Sequence, residues 1–286
     1  MHSRTAAHAG LLVAFAASAS AFAPAPLSAL RSGAAAPRSA TRPASTSVKM
    51  FDPLLVAKGL AGIPAMYSLF SFNEYMTHKY YQHNEIGKVE LYQELRKKEL
   101  CPKLDGGGHV EHHAETYDDM SLKVDDEAWM KSPPAQRLNG DVFRGTAFSW
   151  QVTAMMMTQC IPTVYPVFFL LGWTPVATTL FFLPALALHG LVWNALHPAM
   201  HGLPEVPSSY GFPSSILKPW RETKIFEWLR VNHRGHHVTS GRSNYNVCCP
   251  GFDHVLGTFS PEAKWRPQVR ANSARPIADA LMSSQM

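Results

Sequence analysis

From Gly145 to Pro204 the chain runs for 60 residues without one Asp, Glu, Lys or Arg. A helix needs roughly 20 apolar residues to cross a hydrocarbon core, so this stretch has room for two spans. Gly172-Trp173-Thr174-Pro175 combines a helix stop with an interfacial aromatic, which divides the stretch into antiparallel spans near 148–171 and 175–196. A mostly apolar run from Leu54 to Phe72 is a third candidate of about 28 Å, weakened by Lys58, Gly59, Gly62 and Pro64. Three spans would place residues 73–147 and 202–286 on one side of a membrane. Each of those segments carries ten Lys and Arg, and the turn between the second and third spans carries none. The positive-inside bias therefore assigns both to the cytoplasmic or stromal side.

Overall charge adds little to this picture. Five bases and no acid fall in residues 1–49, and the remaining 21 Lys and Arg balance 21 Asp and Glu. The high isoelectric point belongs to the leader, so no nucleic-acid partner is expected. Hydrophobic content of 46% with 16% charged residues excludes a disordered chain. Cys101, Cys160, Cys248 and Cys249 form no CxxC pair, so neither a disulfide framework nor a zinc ribbon is indicated.

Residues 1–21 have the layout of a secretory signal peptide, with a short basic start, an apolar run from Leu11 to Ala17 and small residues up to Ala21. Residues 22–49 are rich in Ala, Ser, Pro and Arg and free of acid, as organelle transit peptides are. The junction at Phe22 resembles the bipartite leaders of algae with complex plastids; an Ala-rich secretory leader is the alternative. Residues 50–260 form the expected membrane domain, and 261–286 a loose tail.

Ten of the 14 histidines fall in four clusters: His78 and His83; His109, His112 and His113; His197 and His201; His233, His236 and His237. The 197/201 pair is spaced i,i+4 and both triplets i,i+3,i+4, so each set lies on one helical face. His78 and His83 are five apart and would diverge on a regular helix, which predicts a bulge or a helix end between them. The order of span, histidine pair, polar segment and triplet occurs twice, at 54–113 and 175–237. Ten imidazoles exceed what one ion takes, so two ions are expected, and an all-nitrogen site suits zinc or iron. Glu74, one turn before His78, and Asp253, after the last triplet, are candidates to hold imidazole nitrogens from outside, although a solvated helix end is an equal reading of Glu74. His189, Trp193, His197 and His201 recur every four residues. His189, an intramembrane imidazole, and Asn194 are thus candidates for a substrate channel or for supporting the ligands. Each could instead serve helix packing. Ile225, Trp228 and Leu229 suggest an amphipathic helix over 221–231, interfacial or packed.

The clusters His78-Lys79-Tyr80-Tyr81-Gln82-His83, His109-Val110-Glu111-His112-His113, His197-Pro198-Ala199-Met200-His201 and His233-Arg234-Gly235-His236-His237 resemble the histidine boxes of the fatty acid hydroxylase superfamily. They are most like those of its fatty acid 2-hydroxylase branch. Asn244-Tyr245-Asn246 and Asp253-His254-Val255-Leu256-Gly257-Thr258 are similar to the segment that closes that domain. The resemblance covers roughly 65–260. It implies an all-α integral membrane fold of about three transmembrane helices, capped by a polar helical lobe with a histidine-rich di-metal site. It also implies two iron ions, with zinc as an alternative occupant, and all ten clustered histidines as ligands. Dioxygen would be co-substrate, a fatty acyl chain or lipid the substrate, and a separate ferredoxin or cytochrome b5 the electron donor. A desaturase, a carotenoid or sterol-type hydroxylase and a non-catalytic metal scaffold are the alternatives. No cytochrome b5 domain precedes the histidines, so the implied electrons would come from a separate protein, and the 83–109 gap is longer than that branch suggests, which leaves the substrate open. The leader points to a plastid membrane with a stromal metal face, or else to the endoplasmic reticulum with a cytosolic one.

Overall fold

In a computed structural model, which describes residues 53–104 and 106–269, the chain is built of helices and turns. No strand occurs among the described residues, only two isolated bridges. The leader (1–21 and 22–49) and most of the tail lie outside them.

Three long helices form the frame: α1 (Pro53–Met76), α6 (Trp150–Leu170) and α7 (Pro175–Met200). Between α1 and α6 lie the short helices α2 (Glu90–Lys97), α3 (His109–Glu115), α4 (Glu127–Met130) and α5 (Pro133–Leu138). After α7 come a 3-10 segment (Ser215–Glu222), α8 (Lys224–Val238), α9 (Phe252–Leu256) and α10 (Glu262–Trp265).

Among the described residues, α6 and α7 are the two helices long and apolar enough to cross a membrane. The break between them falls at the expected turn. Thr174 caps α7 by accepting from Ala177 N at 3.2 Å, and Pro175 opens the helix. The Tyr165 and Thr179 hydroxyls, 2.7 Å apart, close the two into an antiparallel pair. α1 runs antiparallel to α6. Lys58 donates to the Gly172 carbonyl at one end, Asn73 to Thr163 further along, and Thr77 to Gln159 near the other end.

Inside the three-helix frame Met66, Phe70, Met156, Cys160, Val164, Phe168, Phe182 and Leu186 are buried together. Outward, the frame stays apolar: Leu170, Val176 and Leu180 are 82%, 70% and 71% exposed. A helix in the core of a soluble protein hides most of its apolar surface, whereas these show it.

α1 and α7 end at the same end of the frame, and there the regular helix of α1 gives way. Thr77–Gln82 is a π-helical turn in which His83 N donates to the His78 carbonyl at 3.0 Å. The i,i+5 bond brings two side chains that an α-helix would splay onto one face. α7 instead stays helical through His197 to Met200, past the expected end near 196, so its i,i+4 pair keeps one face.

Candidate metal centre

All ten clustered histidines meet at this end of the frame. One group contains His78, His83, His109, His113 and His236; a second contains His112, His197, His201 and His233. Within each, the ligating atoms lie within 4.8 Å of one another, so each group could hold a metal ion. His237 sits at the edge of the second group, its Nε2 3.1 Å from that of His233, and its ring stacks on His113 at 4.0 Å.

The distribution is crossed. The triplet on α3 sends its first and third imidazoles to one group and its second to the other. α8 does the same with the groups exchanged, since His233 and His237 go together while His236 crosses. Positions i and i+4 of a helix overlie one another and i+3 is rotated from them, so one turn can serve two sites.

Backbone carbonyls fix the tautomers. The Nδ1–H of His78 donates to the Tyr245 carbonyl (2.5 Å), His109 to Gly145 (2.9 Å), His197 to Thr146 (2.6 Å), His201 to Met120 (3.1 Å) and His236 to Ser243 (2.6 Å). His112 Nδ1 lies 3.4 Å from the Glu115 carboxylate. In a neutral ring so held, the proton is on Nδ1 and the lone pair on Nε2 faces inward. Yet the Nε2 atoms of His78 and His109 are 2.8 Å apart and those of His112 and His201 3.2 Å. Facing lone pairs with no proton between them repel, and a cation relieves this. For metal–nitrogen bonds of about 2.1 Å, adjacent nitrogens are about 3.0 Å apart in octahedral and about 3.4 Å in tetrahedral geometry. The observed 2.8–3.2 Å fits the former.

Electrostatics keeps the rings ready to ligate. Burial holds His109 down at about 4 and His201 and His236 at about 3. Burial and neighbouring imidazoles push His78, His83, His112, His113, His233 and His237 well below the usual histidine range. The neutral imidazole is the ligating form. Burial also raises the Glu115 carboxyl to about 7, opposed by Lys123.

The supporting carbonyls come from two loops. In the first, the adjacent carbonyls of Gly145 and Thr146 serve one imidazole of each group. Gly145 has φ +86, and a Cβ there would lie 2.8 Å from the Gly108 carbonyl oxygen and 2.9 Å from His112 Cβ, so only glycine fits. In the second, Ser243 and Tyr245 serve His236 and His78. Asp253 touches no imidazole. Its carboxylate accepts from the backbone N–H of Tyr245 (3.0 Å) and Asn246 (2.6 Å) and from the Thr258 hydroxyl (2.6 Å). It therefore supports His78 through the Tyr245 carbonyl. Glu74 is 2% exposed, no solvated helix end. Its Oε1 accepts from the backbone N–H of Val247 (2.5 Å), Cys248 (3.0 Å) and Cys249 (3.3 Å), tying this loop to α1.

The stripe on α7 is present, with the rings of His189, Trp193, His197 and His201 in succession. His189 stacks on Phe70 at 5.2 Å, and its Nε2 is 3.6 Å from Glu74 Oε2. Asn194 binds the backbone of Phe148, accepting from its N–H at 2.7 Å and donating to its carbonyl at 3.1 Å, and donates to the Phe212 carbonyl. It is a staple between α7 and the loop that carries Gly145 and Thr146. Of the expected amphipathic segment, Leu229 is buried while Ile225 and Trp228 are exposed. Met120, Gly145, Thr146 and Ser243 are not singled out by the sequence for this role, and Tyr245 enters only through the Asn244-Tyr245-Asn246 resemblance. They act through the main chain, which leaves no residue-type signature; the glycine at 145 is the only such mark.

Comparisons of the chain with protein-family profiles, with curated proteins and with solved structures give no match to any of them.

Proposed function

We propose that the protein is a membrane-bound di-iron oxygenase that hydroxylates a fatty acyl chain or lipid with dioxygen and electrons from a separate donor. The observation that carries this reading is the crossed convergence of nine imidazoles in two groups, with His237 at the edge of the second, beside the ends of apolar helices. Five- and four-membered groups with neighbouring nitrogens 2.8–3.2 Å apart suit an ion that takes five or six ligands better than tetrahedral zinc. Such ions, when bound, supply activation of dioxygen and the oxidising power to remove hydrogen from an unactivated C–H bond.

The chain's own residues hold, orient and shield. His78, His83, His109, His113 and His236 hold one ion; His112, His197, His201, His233 and His237 hold the other. The carbonyls of Met120, Gly145, Thr146, Ser243 and Tyr245 keep five of those rings aimed inward. α1, α6 and α7 act as three spans whose apolar skin sits in lipid, bringing an acyl chain to the metal face without taking it through water. The acid-free leader favours a plastid membrane with the metal face in the stroma.

The test expresses the full-length chain with a reductase system, measures metal content, and profiles lipids by mass spectrometry. Two irons per chain and a +16 product on one lipid class are expected, both lost in His236→Ala. Loss of two hydrogens would indicate desaturation. Tightly held metal without oxygen uptake under reductant would refute the oxygenase reading.

A further inference from the structure

Tyr245 meets the histidines twice. Its carbonyl accepts from His78, and its ring stands against the rings of His78, His83 and His236 with centroids 5.8, 5.9 and 5.6 Å away. Three imidazoles of one group thus border a single buried phenol. The Tyr75 ring follows at 5.4 Å, edge-on at 74°. Lys79 Nζ lies 5.3 Å from the ring centres of both Tyr75 and Tyr245 and 5.5 Å from that of Tyr80, and donates to the Tyr75 hydroxyl at 2.9 Å. Tyr75 and Tyr245 are buried, while Tyr80 packs against their cluster and is only partly buried. Three phenols therefore lead from one histidine group to solvent, gathered around one ammonium.

Phenols are among the most easily oxidised side chains, and aromatic rings in near contact pass single electrons stepwise. An oxidant able to attack an unactivated C–H bond can also oxidise a phenol. The ammonium is attracted to the electron-rich ring faces and makes removal of an electron from them harder. It thereby sets a threshold that only a strong oxidant crosses.

We infer that Tyr245, Tyr75 and Tyr80 form an escape route that carries an oxidising equivalent from the His78, His83 and His236 side of the metal centre to the protein surface when no substrate carbon is in place. The inference rests on the oxygenase reading above. In net terms one electron passes from Tyr80 to the oxidised centre, which is reduced by one electron, and the Tyr80 phenolic proton passes to water. Tyr245 and Tyr75 carry the vacancy in transit and end as the phenols they began as. A thiol in solution then returns one electron and one proton to the Tyr80 phenoxyl and becomes a thiyl radical.

The experiment uses the full-length iron-loaded protein without lipid substrate, triggered with hydrogen peroxide, freeze-quenched and examined by electron paramagnetic resonance. An organic radical that narrows when tyrosine is ring-deuterated is expected. It should be lost in Tyr245→Phe at unchanged iron content. In Tyr80→Phe it should persist but decay more slowly with added thiol, because the radical then stays on buried rings. Iron that oxidises without a tyrosyl radical overturns the inference, as does an identical radical in the wild type and both variants. Should Tyr245→Phe lose iron, the Tyr80→Phe decay decides alone, since Tyr80 is outside the histidine set. Oxidation of the iron by dioxygen, followed separately, tests the oxygenase reading. Peroxide as trigger keeps the two failures apart.

Discussion

On the proposed di-iron reading, Asp253→Asn is the sharpest probe of how the loop after α8 orients the clustered histidines. Asp253 is 2% exposed, and its two oxygens take three hydrogen bonds. Oδ1 accepts from Tyr245 N and the Thr258 hydroxyl, and Oδ2 from Asn246 N. Asparagine keeps one oxygen but presents an NH2 where Oδ2 stood, so the Asn246 N–H faces a donor. Removing the charged acceptor and leaving the buried Asn246 N–H unpaired puts about 1–3 kcal/mol of loop stability at stake. The loop carries the carbonyls that orient His78 and His236, so the effect should appear as metal loss of about 10–100-fold in affinity, the range seen when support behind a ligand is removed. The assay is iron retention against a chelator series, with circular dichroism to confirm helix content. Wild-type retention in Asp253→Asn would refute the reasoning. Equal weakening of a control substitution at the neighbouring His254, which stacks on Phe259 at 4.1 Å, would refute it too.

Three further outcomes are expected. Gly241→Ala would place a Cβ 2.3 Å from His83 Cε1 at a backbone with φ +71, and should lower metal content while helix content stays within error; full occupancy would contradict the tight approach. For metal-free protein, His109, His201 and His236 titrate at about 4, 3 and 3 when folded, against 6.5 ordinarily. The unfolded chain binds protons first as pH falls below 6.5, so stability present above that value is lost as pH falls towards about 4 for His109 and about 3 for His201 and His236. At pH 5 each ring costs about 2 kcal/mol, and a thermal midpoint unchanged between pH 7 and 5 would count against burial as the cause. Asn194→Leu removes the staple to Phe148 and should release metal through the Gly145–Thr146 carbonyls, at a cost of about 2–4 kcal/mol from the unpaired Phe148 and Phe212 groups; unchanged metal affinity would show that the staple does not position the loop.

The helical frame was readable because its signals are carried by residue type. Sixty uncharged residues and the Gly172–Pro175 break placed α6 and α7 to within a few residues, and the five-residue spacing of His78 and His83 announced the π-turn. Histidine spacing also gave the faces of α3, α7 and α8. The partition of each triplet between two groups was not readable, because it depends on the helices meeting in space. Glu74 shows the same limit from another side. A carboxylate one turn below a histidine suggests either support for an imidazole or solvation, and the structure instead uses it on three main-chain N–H groups. Asp253, too, works one link further from the ring than its position suggested.

The crossed triplets carry a consequence for assembly. Neither histidine group can be completed by residues from one half of the polypeptide, since α3 and α8 each lend a ring to the opposite set. A ribosome-bound or truncated chain ending before Lys224 would expose imidazoles with nothing to close around. On the proposed di-metal reading, occupancy would become a readout of finished biogenesis, since a cation could be enclosed by either histidine group only after α8 is made.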